Sequence, residues 1–141
     1  MDVKVIGLYP YTKERIWKAL TDPAEMRQWF FENMPDFQAR VGFKTEFDVG
    51  STNRSFHHIW EVLEVIENEK ISYSWTYRDI SGYSEVTFNL HDANGNTKLE
   101  VTCTGLDSFP SDIPEFTKES CTAGWNYFFN ELKLYLSKGV N

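Results

Sequence analysis

A chain of 141 residues is long enough to close one hydrophobic core, and we expect residues 1–141 to form a single domain. Its 14 basic and 21 acidic residues give a net charge of −7, which argues against binding to nucleic acid or to an anionic membrane. Aromatic residues make up 16% of the sequence, more than a small core requires, which suggests an interior or a cavity lined by aromatic rings.

The N-terminus and the cysteines bear on the cellular compartment. The first residues, Met-Asp-Val-Lys, contain no apolar segment of the kind found in a secretory signal, so we expect a cytoplasmic protein. No apolar run approaches the roughly 18 residues that a membrane span requires, so no membrane insertion is expected. Cys103 and Cys121 lack metal-binding spacing and should be reduced thiols that pack as small hydrophobic side chains.

A short strand and a helix are predicted at the start of the chain. Residues 2–8 alternate sufficiently between apolar and polar side chains for a half-buried strand. Residues 9–11 interrupt this pattern, and Thr12 is a suitable N-cap for a helix that continues to Leu20.

A second short helix is predicted directly afterwards. Asp22 can cap it by accepting hydrogen bonds from free backbone amides, and Pro23 suits its first helical position. Glu25 stands where the acid of a capping box is expected. The helix should end near residues 29–30, with a kink between the two helices at residues 21–22.

Alternation with a period of two residues dominates the middle of the chain and indicates antiparallel strands joined by short turns. The alternating segments are residues 37–41, 43–49, 56–66, 71–77, 86–90 and 99–103. Turns are predicted at residue 42 and at residues 50–53, 67–70 and 92–95. The Asn94-Gly95 pair in the last of these turns favours a tight hairpin.

A long amphipathic helix is predicted over residues 114–137, capped by Ser111 or Asp112. Its apolar side, read at helical spacing, carries Cys121, Gly124, Trp125, Phe128, Leu132 and Tyr135 or Leu136. A glycine inside a helix costs roughly 0.5–1 kcal/mol relative to alanine. Gly124 should therefore either allow another element to approach closely or leave space beside Trp125.

These elements together predict an α+β helix-grip fold. Strands with one polar face must bury the other face, and the long helix is the one element able to cover it. We therefore expect a curved antiparallel sheet of about six to seven strands around the C-terminal helix, with two short helices near the N-terminus. A cavity is expected between the sheet and the long helix, and the two short helices should lie at its mouth.

Four groups of residues carry a resemblance to a known family. They are Ile16–Pro23 with Trp29–Phe30, Trp60–Val65, Ile71–Trp75 with Val86–Phe88, and Gly124-Trp125 with the apolar positions 128, 132 and 136. Together they resemble the activator of heat-shock protein 90 ATPase homologue-like (AHSA-type) domains of the START-like, or SRPBCC, superfamily, which comprises polyketide cyclase/dehydrase and lipid-transport proteins. The resemblance covers nearly the whole chain in the same order and implies a Bet v 1-like helix-grip fold.

Two positions depart from the pattern of that family. Family members often have a histidine where this chain has Cys121, and often have a glycine where it has Ile59 or Trp60. Both differences change the expected lining of the cavity.

The sequence contains no motif that by itself indicates catalysis, such as GxSxG, HExxH, a P-loop or GxGxxG. His57 and His58 are neighbours on a predicted strand, so their rings should point to opposite faces and cannot share one metal ion. A partial site completed by Glu61 or His91 is the alternative to simply solvated or hydrogen-bonded histidines. We therefore expect no metal and no cofactor.

The surplus of aromatic residues and the lack of catalytic sets favour a non-enzymatic domain that binds a small hydrophobic or aromatic molecule, lipid-like or polyketide-like. The alternative is that the same rings fill the core solidly. The residues predicted to line the ligand cavity are Trp29, Phe30, Phe47, Trp60, Tyr73, Trp75, Tyr77, Phe88, Cys121, Trp125 and Phe128.

Two further functions remain open. The resemblance implies a co-chaperone-like domain that stimulates a heat-shock protein 90 ATPase, which would make a chaperone its partner. The other is a cyclase or dehydratase that acts on a bound aromatic substrate, with Tyr73, Tyr77, His58 and Glu61 as candidates for proton transfer. This third hypothesis requires at least one of the four side chains to face the cavity.

Overall fold

An antiparallel sheet and a long C-terminal helix form the framework of the computed structural model, which describes residues 2–50 and 54–139. The strands in these residues are β1 (Val3–Tyr9), β2 (Lys44–Gly50), β3 (Ser55–Ile66), β4 (Lys70–Tyr77), β5 (Ile80–Ala93) and β6 (Asn96–Thr104). The helices are α1 (Lys13–Thr21), α2 (Pro23–Trp29) and α3 (Lys118–Ser137). Between β6 and α3 the chain forms the short 3₁₀ turns Leu106–Ser108 and Pro114–Phe116.

Strands β2 to β6 lie side by side in chain order, and β1 pairs with β6 at the far edge of the sheet. Their spatial order is β1-β6-β5-β4-β3-β2, and all neighbouring strands are antiparallel. Bulges between Val62 and Glu64 and between Trp75 and Tyr77 interrupt the regular pairing, and such bulges bend a sheet. The curved sheet packs around α3, so the predicted α+β helix-grip fold is confirmed.

The predicted N-caps of the two short helices and the predicted hairpin turn are also confirmed. The Thr12 hydroxyl accepts a hydrogen bond from the backbone N–H of Arg15 at 3.1 Å and caps α1. The Asp22 carboxylate accepts one from the N–H of Ala24 at 2.9 Å and caps α2. In the turn between β5 and β6, Asn94 and Gly95 have φ values of 55° and 88°, the left-handed conformation that an Asn-Gly hairpin adopts.

The prediction of a strand at residues 37–41 is wrong. This segment lies wholly in the described part of the chain and forms an irregular connection, in which the Arg40 N–H donates to the Gln38 carbonyl at 2.9 Å. Phe37 is buried against the rings of Trp60 and Tyr73, whereas Val41 is 61% exposed. β2 already occupies the free side of β3, so the apolar alternation here reflects one inserted aromatic side chain and not a pairing strand.

The long helix begins one turn later than predicted. Thr117 caps it by accepting a hydrogen bond from the Ser120 N–H at 3.2 Å, and neither Ser111 nor Asp112 does so. The residues before Thr117 form a 3₁₀ turn at Pro114–Phe116, which buries Phe116. The predicted turn at residues 50–53 lies largely outside the described residues.

The two halves of α3 have different surroundings. Towards the C-terminus its buried residues pack tightly, and Phe129, which the helical pattern did not include, is among them. The Tyr9 hydroxyl on β1 donates to the Phe129 carbonyl at 2.8 Å and joins this half of α3 to the edge of the sheet. Towards the N-terminus, Cys121, Gly124 and Phe128 are half-buried, which leaves this end of the helix next to unfilled space.

Glu25 joins the three helices instead of forming a capping box. Its side chain is 6% exposed, and its Oε1 atom lies 2.7 Å from a guanidinium nitrogen of Arg15 on α1. The Tyr135 hydroxyl on α3 donates to the same oxygen at 2.9 Å, while Lys18 Nζ lies 3.8 Å from Oε2. This buried charge with two hydrogen bonds fixes α1 and α2 against the C-terminal half of α3.

None of the helices within residues 2–50 and 54–139 is both long enough and apolar enough to cross a lipid bilayer.

Candidate ligand-binding cavity

A cavity of about 320 Å³ lies between the sheet and the N-terminal half of α3. This volume is at the lower end of the range of roughly 300–1,000 Å³ that small-molecule sites span. Strands β2 to β6 form its floor, α3 forms one wall, and the segment of residues 106–116 forms another. Most of the lining side chains are apolar or aromatic, so the cavity suits a largely apolar molecule.

The cavity reaches the surface between the end of β2 and the start of α3. Gly50 and Ser120 lie at this end of the lining, and both are exposed. The prediction that the two short helices lie at the mouth is wrong, because no described residue of α1 or α2 lines the cavity. The segment that follows α2 takes part through Phe31.

The structure divides the predicted lining residues into two groups. Five of the eleven line the cavity, namely Trp75, Tyr77, Cys121, Trp125 and Phe128. The other six have side chains that are between 1% and 8% exposed and belong to the packed core beside the cavity, namely Trp29, Phe30, Phe47, Trp60, Tyr73 and Phe88.

Phe30 explains why one end of the space between sheet and helix is solid. Its ring stacks on Trp29 with centroids 4.6 Å apart and meets Phe128 edge-on at 4.8 Å. It also lies 5.6 Å from Trp60 and 5.7 Å from Trp125. The chain leaving α2 therefore inserts aromatic side chains between sheet and helix, and the open volume is confined to the other end.

Several lining residues were not predicted. Phe56 and His58 alternate with Trp60 on β3, and the same period of two residues could have identified them. Phe109 and Phe116 belong to the irregular segment before α3, where no periodicity exists to find them. Their rings lie 4.9 Å apart, and each also packs against Tyr77, so they form a continuous aromatic wall.

Gly124 leaves open space in the helical wall. A Cβ atom built at this position would have no atom within 4 Å apart from its two chain neighbours and the backbone of its own helix, and Gly124 itself lines the cavity. This glycine was expected either to allow another element to approach closely or to leave space beside Trp125. The structure supports the second role.

The polar groups of the cavity are few and mainly uncharged. Burial lowers the pKa of His58 to about 4, so its ring is neutral at neutral pH. Burial also raises the pKa of the Tyr77 hydroxyl, which accepts a hydrogen bond from Trp75 Nε1 at 2.8 Å. The Ser84 hydroxyl donates to the Trp75 carbonyl at 2.6 Å. No lysine or arginine occurs among the described residues of the lining.

Both cysteines face this cavity as free thiols. Burial raises the pKa of Cys103 to about 12 and also raises the pKa of Cys121. Both thiols are therefore protonated at neutral pH and poor nucleophiles, as expected for cysteines that pack as small hydrophobic side chains.

The neighbouring histidines point to opposite faces of the sheet, as predicted. His58 faces the cavity, while the two ring nitrogens of His57 lie 2.8 Å from Glu46 Oε1 and 2.8 Å from Asp48 Oδ1 on the outer face. Glu61 also lies outside, 3.8 Å from Lys44 Nζ. In the described part of the chain, no group of three or more His, Cys, Asp or Glu side chains is arranged to hold a metal ion.

The contacts of His57 make stability depend on pH. Hydrogen bonds to Glu46 and then to Asp48 raise the pKa of His57 above its ordinary 6.5, and the bond to His57 lowers the pKa of Glu46 below its ordinary 4.5. The raised pKa contributes stability that is complete below pH 6.5 and is lost as pH rises through the raised value. The lowered pKa contributes stability that is complete above pH 4.5 and is lost as pH falls through the lowered value.

We therefore expect the difference in melting temperature between wild type and His57→Gln to be largest at about pH 5.5 and smaller at about pH 9. Thermal unfolding followed by circular dichroism at both values measures this difference. His91→Gln, a change at an exposed histidine, is the matched control and should show no such trend. An equal difference for His57→Gln at both values would contradict the expectation.

The sequence matches a known protein family, and the fold matches several solved structures. The sequence model of the family described as "Activator of Hsp90 ATPase homolog 1-like protein" matches residues 10–137. A search of curated proteins found no match. Among solved structures, protein MLL2253 from Mesorhizobium loti is 27% identical, with a TM-score of 0.79 and 100% of both chains covered.

Two other solved structures share the fold. DynU16, a protein in the dynemicin biosynthetic locus, is 25% identical, with a TM-score of 0.76, and the match covers 98% of this chain and 48% of DynU16. The Aha1 dimer from Colwellia psychrerythraea is 16% identical, with a TM-score of 0.72, and the match covers 94% of this chain and 93% of that one. At that identity the Aha1 match shows the fold alone.

Proposed function

The chain belongs to the activator of Hsp90 ATPase homolog 1-like family, and in this protein a cavity lies between the sheet and α3. We propose that the protein binds a small, neutral, largely aromatic molecule in this cavity without transforming it. The observation that carries this proposal is the aromatic cavity of about 320 Å³ that opens between β2 and α3.

The walls of the cavity favour a flat aromatic ligand. Trp75 and Trp125 meet edge-on with ring centroids 5.8 Å apart, and the ring of Phe128 lies 5.8 Å from Trp125. A ligand ring inserted here would gain further contacts of the same kind, each contributing about 0.5–1.5 kcal/mol beyond the buried area. The similar protein DynU16 is described as a protein of the dynemicin biosynthetic locus, which motivates including biosynthetic aromatic compounds among the ligands to be tested.

The charge of the lining favours a neutral ligand over a fatty acid or another anion. Among the described lining residues there is one carboxylate, Glu115, and no cationic side chain. An anionic head group would lose its hydration without gaining an opposite charge, which makes its burial costly. Of the two ligand classes expected from the sequence, the lining thus supports the polyketide-like aromatic class over acidic lipids.

The five tryptophans allow a direct test by nuclear magnetic resonance. We expect titration with neutral aromatic compounds to shift the indole N–H signals of Trp75 and Trp125, which line the cavity. The signal of Trp29 should stay in place, because its Nε1 donates to the Ala19 carbonyl at 2.8 Å within the core. A panel of flavone-like, anthraquinone-like and lipid compounds that moves neither Trp75 nor Trp125 would refute the proposal.

Substitution of Gly124 should separate binding from folding. Gly124→Phe places a ring in the open space of the cavity, so we expect aromatic ligands to bind at least about 10-fold more weakly. Gly124→Ala is the matched control, and it should retain binding and raise the free energy of unfolding by about 0.5–1 kcal/mol through its higher helix propensity. Titration of both variants and chemical unfolding measure these effects, and undiminished binding by Gly124→Phe would place the ligand elsewhere.

A second candidate function is proton transfer to a bound aromatic substrate, as in a cyclase or dehydratase. Two of the four proposed groups, His58 and Tyr77, line the cavity, whereas Tyr73 is packed in the core and Glu61 lies on the outer face. Incubation with a polyketide-like substrate would test this function. Faster cyclisation or dehydration that is lost in His58→Phe would support it, and a rate equal to the uncatalysed one would exclude it.

The description of the family also motivates a separate proposal, that the protein stimulates the ATPase of an Hsp90-type chaperone. Steady-state ATP hydrolysis by the chaperone, measured with and without this protein, tests it. An unchanged rate at saturating protein would contradict it.

A further inference from the structure

The cavity contains a hydrogen-bond acceptor that nothing in the described part of the protein uses. His58 Nδ1 lies 3.1 Å from the Phe56 carbonyl oxygen, and a carbonyl oxygen can only accept. Nδ1 must therefore carry the hydrogen, and in a neutral ring Nε2 is then a bare acceptor. The side chain is 5% exposed and lines the cavity, and no described residue provides a hydrogen bond to Nε2.

An unused donor lies beside it. His58 and Tyr77 are paired across β3 and β4, and their rings meet edge-on with centroids 4.8 Å apart. The Tyr77 oxygen accepts from Trp75 Nε1, so its own hydrogen remains to be donated. Within residues 2–50 and 54–139, no acceptor takes that hydrogen. Both residues line the apolar cavity, so a molecule that enters it can provide the partner for the unused acceptor and the unused donor.

We propose that this pair of side chains binds a hydroxyl group of the ligand. The hydroxyl donates its hydrogen to His58 Nε2 and accepts the hydrogen of the Tyr77 hydroxyl, so one polar atom satisfies both groups. This inference rests on the proposed function and narrows its ligand to an aromatic alcohol of the phenol type, with one or two fused rings to fit about 320 Å³.

The neutral states of both residues support this arrangement. Burial keeps the His58 ring uncharged at neutral pH and keeps the Tyr77 hydroxyl protonated, so an acceptor and a donor are both present. Ligands without a hydroxyl would leave Nε2 desolvated and unpaired, and sites of this kind discriminate strongly against such analogues.

The test compares 2-naphthol with 2-methoxynaphthalene in the wild-type protein. The methyl ether has nearly the same shape and can still accept from Tyr77, but it has no hydrogen to donate to His58. We expect it to bind about 10- to 100-fold more weakly, measured from the Trp75 and Trp125 indole shifts. The ¹⁵N signal of His58 Nε2 should also move when 2-naphthol binds and stay in place with the ether.

Two variants test which side chain makes each hydrogen bond to the ligand hydroxyl. His58→Phe retains a ring of similar size and should bind both compounds with affinities that agree within about threefold, because it no longer offers an acceptor. Tyr77→Phe should weaken both compounds alike and preserve the preference for 2-naphthol, because both compounds can accept from Tyr77. Circular dichroism checks that each variant is folded, and the comparison in wild type does not depend on either.

The outcomes separate this inference from the function on which it rests. Equal binding of the two compounds to wild type, or a preference that persists in His58→Phe, would overturn the inference and leave aromatic binding intact. If no compound in the aromatic panel moved Trp75 or Trp125, both the inference and the proposed function would be refuted.

Discussion

Replacing Trp60 with alanine should lower the free energy of unfolding by about 3–5 kcal/mol, which would be among the largest effects of any single substitution in this protein. Trp60 is 1% exposed, and its ring lies 4.6 Å from Tyr73, 4.7 Å from Trp75 and 5.0 Å from Phe47. A vacancy at the centre of this group cannot be closed by small movements, because the neighbours are rigid rings on the sheet.

Trp125 provides the matched comparison because it has the same side chain beside open volume. It is 6% exposed and lines the cavity, so part of its ring lacks contacting protein atoms. We expect Trp125→Ala to cost about 1–2 kcal/mol less than Trp60→Ala. Urea unfolding followed by far-ultraviolet circular dichroism measures both values. Equal costs would show that protein atoms fill the space beside Trp125.

Trp60→Phe is a more conservative variant, because it retains one aromatic ring. The indole N–H of Trp60 is buried and has no hydrogen-bond partner in the described residues, so phenylalanine removes an unsatisfied donor along with part of the ring. The expected loss is about 1–2 kcal/mol, since the cavity left behind is partly offset by the removal of that donor.

Glu25→Ala should lower the free energy of unfolding by about 2–3 kcal/mol. Removal of one partner from a buried ion pair costs about 3–5 kcal/mol, because the remaining charge loses that counterion. The Arg15 side chain retains 16% exposure, so water partly compensates and the expected value is smaller. The substitution also leaves the Tyr135 hydroxyl without its acceptor.

Tyr135→Phe is the control for this prediction. It removes one hydrogen bond to Glu25 and leaves the ion pair with Arg15 intact, so it should cost only about 1 kcal/mol. The loss in the double variant should be smaller than the sum of the two single losses, since either substitution alone already removes the hydrogen bond between Tyr135 and Glu25. Chemical unfolding of the four proteins completes the cycle, and a cost below about 0.5 kcal/mol for Glu25→Ala would show that the cluster is energetically neutral.

The sequence was informative where local rules determine structure. The caps Thr12 and Asp22 act through hydrogen bonds within a few residues, and the Asn94-Gly95 turn follows from backbone conformations that these residues adopt readily. Glu25 shows the limit. Its position suggested a local cap, but its partner Tyr135 lies 110 residues away, and no local pattern contains that information.

The division between core and cavity could not be predicted for a similar reason. Alternation on a strand identifies which side chains face inwards, and it placed Trp60, Tyr73, Trp75 and Tyr77 on the same face. It does not say how far along the strand the opposite wall is filled. That depends on Phe30, which the chain after α2 inserts at one end only, and on the irregular segment that carries Phe109.

The pairing of β1 with β6 has a consequence for the order in which the molecule folds. Val3 pairs with Cys103, and the hydroxyl of Tyr9 bonds to a residue 120 positions later, so these contacts form only when distant parts of the chain meet. Contacts of long sequence separation slow folding, and during synthesis residues 3–9 have no partner strand until β6 has been made. Cys103, on that last strand, lines the cavity. The cavity also needs α3, which follows β6 in the chain, so it exists only once both ends of the chain have been made and packed, and a ligand that occupied it would stabilise only the fully folded chain.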